Sequence, residues 1–143
     1  MKEAIHSYED LNVYQKLCKL HLEIHYLTLE FPDFEKYELG SQIRRSSNSI
    51  PANLAEGWNN KHLNIYLEGI NRAQGEIQET KHHLNMANRK KYISEDRYCY
   101  FIKEYNDCGK MLSGLERSLK HYSLKSPNTK HLTSNTKHLT PNT

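Results

Sequence analysis

The chain has 143 residues, 36% of them hydrophobic, and a formal net charge of +3. This length suits one domain with its own hydrophobic core, and no apolar run approaches the ~18 residues that a membrane-spanning helix needs, so we expect no membrane association. The first residues lack the apolar core of a signal peptide, and Cys18, Cys99 and Cys108 fit no metal-binding spacing. We therefore expect a cytoplasmic protein without disulfides or a zinc site.

Charge is distributed unevenly along the sequence. Residues 1–38 contain four Lys against eight Asp or Glu, a balance of −4, which leaves +7 on the remaining residues. The basic part can attract a polyanion, or it can complement the acidic part of a neighbouring copy of the same chain. Charge alone leaves both alternatives open.

The first predicted helix begins near Tyr8–Asp10 and ends at Phe31, because Pro32 tends to stop a helix at the residue before it. Apolar residues recur at intervals of three and four, which predicts one buried face: Val13, Leu17, Leu20, Ile24 and Leu27. A second apolar stripe lies beside the first: Leu11, Tyr14, Cys18, Leu22 and Leu29. A helix in a monomeric bundle needs only one such face, so the second stripe predicts an interface between subunits.

The second predicted helix runs from about Glu35 to about Gly57 and contains Pro51. Proline has no backbone N–H to donate and cannot lie in an undistorted helix, so we expect a kink at this residue. The hydroxyl groups of Ser46 and Ser47, or the Asn48 side chain, are close enough in sequence to bond the carbonyls that the kink frees. Gly57 is well placed to adopt the left-handed conformation that ends many helices.

The third predicted helix spans roughly Lys61 to Arg89, and its small residues permit close approach of another helix or of another subunit: Gly69, Ala73 and Gly75. Ser94 can cap the last helix, whose apolar residues alternate by three and four throughout: Tyr98, Phe101, Tyr105, Cys108, Leu112, Leu115, Leu119 and Tyr122. The four amphipathic helices predict an all-α fold, a four-helix bundle with a kinked second helix.

Helical periodicity stops at Ser123, after which the hexapeptide NTKHLT occurs twice, at residues 128–133 and 135–140. Two copies are too few for a repeat architecture, and the Asn, Thr, Pro and Lys content favours disorder. We therefore divide the chain into a four-helix bundle domain at residues 1–122 and a flexible, disordered tail at residues 123–143.

Several motifs are similar to the signature of a known family. They are DLNVYQK at residues 10–16, Phe31-Pro32, LGSQIRR at residues 39–45 and SIPANLAEG at residues 49–57. On these motifs, the chain resembles the four-helix-bundle proteins encoded within intervening sequences of bacterial large-subunit (23S) ribosomal RNA genes. The resemblance implies an antiparallel up-down bundle that assembles into a homopentamer with no known catalytic activity, distantly similar to the accessory variability determinant of diversity-generating retroelements. It assigns a structural role to six signature residues: Gln42, Ser49, Pro51, Asn53, Glu56 and Gly57.

Two basic clusters are candidates for contact with a nucleic acid. Arg44 and Arg45 are adjacent on a helix, so their guanidinium groups point about 100° apart and can hold one phosphate and one carboxylate. The alternative is a structural role, in which one arginine pairs within the assembly with an acidic side chain: Glu56, Glu76 or Glu79. The second cluster can grip a nucleic-acid backbone or can simply be a solvated helix end: Lys81, Arg89, Lys90 and Lys91, with His82 and His83 nearby.

Catalytic and metal-binding chemistry have little support in the sequence. His21 and His25 share one helix face, and His82 is a conceivable third ligand, but no complete metal-binding set is evident. The serines of the second helix have no base beside them in the sequence. We expect no catalytic residue, no metal and no cofactor.

The sequence thus predicts a non-enzymatic, self-associating helical protein that binds RNA or DNA, and the family resemblance implies that it assembles as a pentamer. The alternative function is that of a protein-binding scaffold or adaptor, for example an accessory factor for a reverse transcriptase, in which the basic residues form pairs between subunits.

Overall fold

The computed structural model describes residues 4–125, and nearly all of them lie in helices. A short 3-10 turn (Tyr8–Asp10) precedes four long helices and one single-turn helix. These are α1 (Asn12–Thr28), the single turn α2 (Asp33–Lys36), α3 (Leu39–Gly57), α4 (Leu63–Arg89) and α5 (Glu95–Lys125). No residue of the described part forms a strand.

The four long helices form the predicted antiparallel up-down bundle. Helix α3 packs against α1 and α4, and α5 packs against α4 and α1, so each long helix contacts the two beside it. Their apolar stripes meet in one continuous core, whose fully buried large side chains are Leu17, Leu20, Ile24, Leu27, Ile43, Ile50, Leu54, Ile70, Leu84, Tyr105 and Leu112. The prediction of an all-α four-helix bundle is confirmed.

Helix α5 differs from the prediction at its C-terminal end. Tyr122 was expected to face the core, but its side chain is 75% exposed, and Ser123 is buried instead. A straight helix drifts by roughly 20° per heptad relative to a strict seven-residue repeat, so the inward position moves over a helix this long. The helix continues to Lys125, three residues past the predicted domain boundary. The rest of the predicted tail, residues 126–143, lies outside the described residues.

The segment before α3 is divided, where the sequence predicted one helix starting near Glu35. Helix α2 ends at Lys36, Glu38 leaves the helical region with φ −111° and ψ −93°, and α3 begins at Leu39. The Arg44 guanidinium Nη2 donates a hydrogen bond of 2.7 Å to the carbonyl of Lys36, which therefore needs no helical N–H. On the single turn before this break, the Glu35 side chain contacts Lys90 at the start of the α4–α5 connector.

Helix α3 continues through Pro51 as the bent helix of the bundle, and its serine hydroxyls bond within it. Ser46, Ser47 and Ser49 donate to the carbonyls of residues 43, 44 and 45. These carbonyls lie upstream of the Ser47 carbonyl, which is the one that Pro51 deprives of its helical donor. The expectation that Ser46, Ser47 or Asn48 would bond to the freed carbonyl was therefore wrong, since the Asn48 side chain makes no hydrogen bond to the described residues either.

The corner between α3 and α4 shows a second difference. No glycine in the described part of the chain has a positive φ, and Asn59 adopts the left-handed conformation instead, with φ 51°. Asparagine tolerates this region better than most residues. Gly57 therefore has another role, which is close packing: a Cβ atom on it would lie 2.9 Å from the Ile65 carbonyl oxygen.

Helices α3 and α4 make the closest contact in the bundle. A Cβ atom on Gly69 would lie 2.7 Å from the Asn53 carbonyl oxygen and 3.2 Å from the Gly57 Cα, so this position requires glycine. Gly75, by contrast, has no neighbour within 4 Å of such an atom, so no other helix of the same chain approaches it closely, and its packing against another subunit stays a prediction. A buried hydrogen bond of 2.8 Å from the Thr80 hydroxyl to the Ser46 hydroxyl also joins the two helices.

Candidate nucleic-acid interface

Arg44 is half-buried and bonds only within the chain. Its Nη1 donates to the Thr28 hydroxyl at 2.8 Å, and its Nη2 donates to the Lys36 carbonyl. The side chain therefore ties the start of α3 to the end of α1 and to α2. Both ends of the guanidinium are occupied, and this arginine has a structural position.

Arg45 is more exposed and pairs with carboxylates of α4. Its Nη2 donates to Glu79, and its Nη1 lies 3.6 Å from the Glu76 carboxylate. The His83 Nε2 is 3.4 Å from the same Glu79 carboxylate. Glu76 and Glu79 are two of the three acceptors expected from the sequence, and both contacts form within one chain. Glu56, the third expected acceptor, makes no contact with either arginine.

Lys90 is joined to a buried carboxylate. Its ammonium donates to Glu35 Oε2 at 2.8 Å, and the Tyr92 hydroxyl donates to the same oxygen at 3.0 Å. Glu35 is only 6% exposed, so these bonds fix α2 on the α4–α5 connector. The hydrogen bond from Lys90 lowers the pKa of the Glu35 carboxyl, and the bond to Glu35 raises the pKa of Lys90. The charge of Lys90 is therefore largely compensated. A contact between residues this far apart leaves no signal in the sequence.

The remaining three candidate cations have no carboxylate partner among the residues that the structure describes. Lys81 donates to the side-chain oxygen of Asn106 at 2.7 Å, which is a neutral contact. Arg89 is exposed at the end of α4, and Lys91 is exposed in the connector, where it adopts a left-handed conformation with φ 66°. Of the six candidates, these three keep an uncompensated positive charge available to an anion.

The signature residues have mainly structural surroundings. Pro51 and Gly57 are buried, the Ser49 hydroxyl donates to the Arg45 carbonyl, and the Asn53 amide donates to the Ser49 carbonyl at 2.8 Å. Two are exposed: Gln42 lines a groove between α3 and α4, and Glu56 lines a crevice at the α3–α4 corner. No metal-binding group of three or more side chains occurs in residues 4–125.

His21 and Ser47 form a pair that resembles a base and a nucleophile. The His21 Nδ1 lies 2.8 Å from the Ser47 hydroxyl oxygen, between α1 and α3. Burial, and to a smaller extent the charge of His25, lowers the pKa of His21. Ser47, however, has no exposed surface at all. A substrate therefore has no access to this hydroxyl, and the pair connects two helices.

The outer face of α1 is apolar, on the side opposite the core. Leu22, Tyr26 and Leu29 are 58%, 66% and 50% exposed. With Tyr14 and Cys18, which are half-buried, they form a continuous strip along the helix that we call the outer α1 strip. The sequence prediction of this stripe included Leu11, which is instead half-buried and packs against the core. It omitted Tyr26, whose four-residue spacing from Leu22 was the signal that could have identified it.

The part of the chain that the structure describes contains no helix long and apolar enough to cross a membrane. A search of curated proteins finds no match. One similar solved structure is a protein of unknown function from the S23 ribosomal protein family of Bacteroides thetaiotaomicron VPI-5482. It shares 24% sequence identity with this chain, covers 70% of this chain and 90% of its own, and has a TM-score of 0.64. At this identity the likeness shows the fold alone.

The sequence model of one family matches residues 9–114, which is most of the chain and includes α1 to α4 and the greater part of α5. Both the opening motif and the bent-helix signature fall within this match. The chain therefore belongs to the 23S rRNA-intervening sequence protein family.

Proposed function

We propose that this protein is a non-enzymatic, oligomeric RNA-binding protein of the cytoplasm. The observation that supports RNA binding best is the set of three uncompensated cations, Lys81, Arg89 and Lys91. They lie in a segment, residues 80–94, that contains no Asp or Glu. Uncompensated Lys and Arg attract phosphates, because each contact releases a counterion from the nucleic acid. The family description names 23S rRNA, which makes RNA the first ligand to test.

The proposal includes no catalytic step, and the surroundings of the polar side chains support this. The hydroxyls of Ser46, Ser47 and Ser49 are engaged with backbone carbonyls of their own helix. Ser47, the one of these three serines that contacts a histidine side chain, is fully buried. A nucleophile must be able to reach its substrate, so we assign these groups to packing.

RNA binding is tested by removing the three cations together. We expect the Lys81→Ala, Arg89→Ala, Lys91→Ala variant to bind RNA more weakly. The slope of log affinity against log salt concentration should also become shallower, by about 0.7 to 0.9 for each phosphate that the variant no longer neutralises. Fluorescence anisotropy of a labelled RNA fragment over a salt series measures both quantities.

The matched control is the Lys16→Ala, Lys36→Ala, Lys120→Ala variant. It removes the same number of charges, but from lysines that already contact carboxylates. Its salt dependence should equal that of the wild type. If both variants lose affinity equally, general net charge and not this cluster is responsible, and the assignment of the three cations fails.

Self-association is the second part of the proposal, and the outer α1 strip supports it. An apolar strip of this length on a helix that already buries its opposite face is a feature of interfaces between subunits. A pentamer is the assembly that the family resemblance implies. Five copies in a ring would multiply a weak site on each subunit into a strong one.

A protein-binding scaffold is the alternative function, and it is favoured by the aromatic residues at one end of the bundle. Phe34 and Tyr37 on and just after α2 are 71% and 83% exposed. Exposed aromatic side chains are frequent anchors in protein interfaces. In this alternative, the assembly recruits another protein, for example a reverse transcriptase. Absence of binding to any nucleic acid at low salt would favour it over the first function.

A further inference from the structure

The surface shared by α4 and α5 contains a row of four cations, two of which, Lys110 and Arg117, belong to α5. Two sets of hydrogen bonds join the two helices at this surface. The Gln74 side-chain amide donates to the Gly109 carbonyl at 2.9 Å and lies 3.2 Å from the Ser113 hydroxyl, and Lys81 donates to Asn106. We call this surface the α4–α5 face and define it by Gln78, Lys81, Arg89, Asn106, Lys110 and Arg117.

None of the four cations of this face lies within ion-pair distance of a carboxylate of the described residues, although the pKa of the Asp107 carboxyl is lowered mainly by its hydrogen bond from Lys103 and in smaller part by the charge of Lys110. Lys81 bonds to a neutral amide, and Arg89, Lys110 and Arg117 form no ion pair. The acidic residue nearest to Lys110 in sequence is Asp107, which already lies 3.2 Å from Lys103 and 3.8 Å from Lys16 of α1. The acidic side chains in the middle of α5 are thus directed towards α1, away from this face.

The spacing of the cations follows from the contacts between the helices. Helices α4 and α5 are antiparallel, and Lys81 of α4 is level with Asn106 of α5 along the bundle axis. Arg117 of α5 is therefore level with the early part of α4, about twenty α4 residues away from Arg89 at its C-terminal end. At 1.5 Å per residue, the row Arg89, Lys81, Lys110, Arg117 is roughly 30 Å long. This length matches about nine base pairs of a double helix at 3.4 Å per pair.

The other side chains on this face indicate which form of nucleic acid it fits. Single strands are held largely by stacking of bases on aromatic rings. The exposed aromatic residues of the described chain lie elsewhere: Tyr26 on α1, Phe34 and Tyr37 at α2, and Tyr100, whose hydroxyl donates to Glu23 of α1. Tyr122 follows Tyr100 by about six helical turns and lies on the same side of α5. The α4–α5 face instead presents the amides of Gln78 and Asn106, which bond to phosphate and sugar oxygens.

We propose that the α4–α5 face binds the sugar–phosphate backbone of a double-helical nucleic acid. The inference rests on the proposed function and deepens it, since it joins Lys81 and Arg89 of that site to two α5 residues and specifies duplex over single strand. RNA and DNA duplexes share the phosphate chemistry that this row recognises. The amides at its centre can also bond to the 2′-hydroxyl, which only RNA carries.

The test uses the full chain and the Lys110→Ala, Arg117→Ala variant. The probes are a 20-base-pair RNA duplex, a DNA duplex of the same sequence and the corresponding single-stranded RNA, each followed by fluorescence anisotropy over a salt series. We expect the variant to bind both duplexes more weakly, with the slope of log affinity against log salt reduced by up to about 1.8, or 0.9 for each cation removed from a phosphate. We expect the wild type to bind either duplex more tightly than the single strand.

The matched control is the Lys103→Ala, Lys120→Ala variant, which also removes two α5 charges, but from lysines that contact Asp107 and Glu116. Its slope should equal that of the wild type, and circular dichroism should show the same helicity in all three proteins. If the wild type binds the duplexes but the Lys110→Ala, Arg117→Ala variant keeps its slope, this inference fails and the proposed function stands.

Three other outcomes also overturn the inference. Tighter binding of the single strand would contradict the assignment to duplex backbone. A fall in the sedimentation mass of the Lys110→Glu, Arg117→Glu variant would show that the face is an interface between subunits. No binding of any probe at low salt would overturn the proposed function together with this inference.

Discussion

Adjacent arginines at the start of α3 differ in what they contact, because consecutive residues of a helix point about 100° apart. Arg44 points towards the end of α1 and bonds to a hydroxyl and a carbonyl, whereas Arg45 points towards α4 and meets Glu76 and Glu79. A structural pairing with one of these glutamates could be predicted from the sequence, because helices that follow one another usually pack together. The hydrogen bonds of Arg44 could not, since they depend on the break between α2 and α3.

The surroundings of the two arginines predict different effects on stability. We expect Arg44→Ala to lower the free energy of unfolding by about 1.5 to 3 kcal/mol, since it removes charge-assisted hydrogen bonds to partly buried acceptors. Arg45→Ala should cost less than about 1 kcal/mol, because its ion pairs are exposed to solvent. Urea denaturation followed by circular dichroism measures both. Equal losses in the two variants would show that the half-buried hydrogen bonds of Arg44 contribute no more to the free energy of unfolding than the exposed ion pairs of Arg45.

Individual helices were predictable where the apolar spacing is regular, and less so where the chain changes direction. The stripes of α1 and α5 identified the buried face of each helix, apart from Tyr122. The division into α2 and α3 is accompanied by contacts of Glu35 with Lys90 and Tyr92, which are more than fifty residues away in sequence. The glycines of α4 illustrate the same limit, because Gly69 lies against α3 and Gly75 does not.

Those two glycines predict opposite effects of the same substitution. Gly69→Ala should destabilise the protein, because the new Cβ would lie 2.7 Å from a backbone oxygen that cannot move without shifting α3. Gly75→Ala should stabilise it by about 0.5 to 1 kcal/mol, since alanine favours a helix and the position has open space around it. Thermal unfolding of both variants gives the comparison. A destabilised Gly75→Ala would mean that this open position is covered in the assembled protein.

At the scale of the whole molecule, the bundle has three surfaces with different chemistry. The outer α1 strip is apolar, the groove between α3 and α4 contains paired opposite charges, and the α4–α5 face contains uncompensated cations. The four-helix bundle itself was predictable, because its amphipathic helices have few other ways to bury their apolar faces. The α4–α5 face was not predictable from the sequence, because a cation is uncompensated only when no carboxylate lies near it in the folded chain. The sequence candidates therefore included Arg45 and Lys90, which are paired, and omitted Lys110 and Arg117, which are not.

The outer α1 strip predicts how assembly can be broken without unfolding the bundle. Because Leu22 and Tyr26 point away from the core, Leu22→Asp, Tyr26→Asp should keep the helicity of the wild type. A charge at each of these positions cannot be buried between two subunits without a partner, so we expect the oligomer to dissociate. Analytical ultracentrifugation at micromolar concentration should give the wild type a mass well above the 16.9 kDa of one chain, and the variant a mass close to it.

Ile65 provides the control for this assembly experiment, since it is 43% exposed but lies on α4, away from the strip. Ile65→Asp introduces the same charge on another face and should leave the oligomer intact. A wild type that sediments as a monomer would contradict the prediction directly. Dissociation by Ile65→Asp alone would place the interface at the α3–α4 corner, beside Gly57 and Gly69, where the two helices are already in their closest contact.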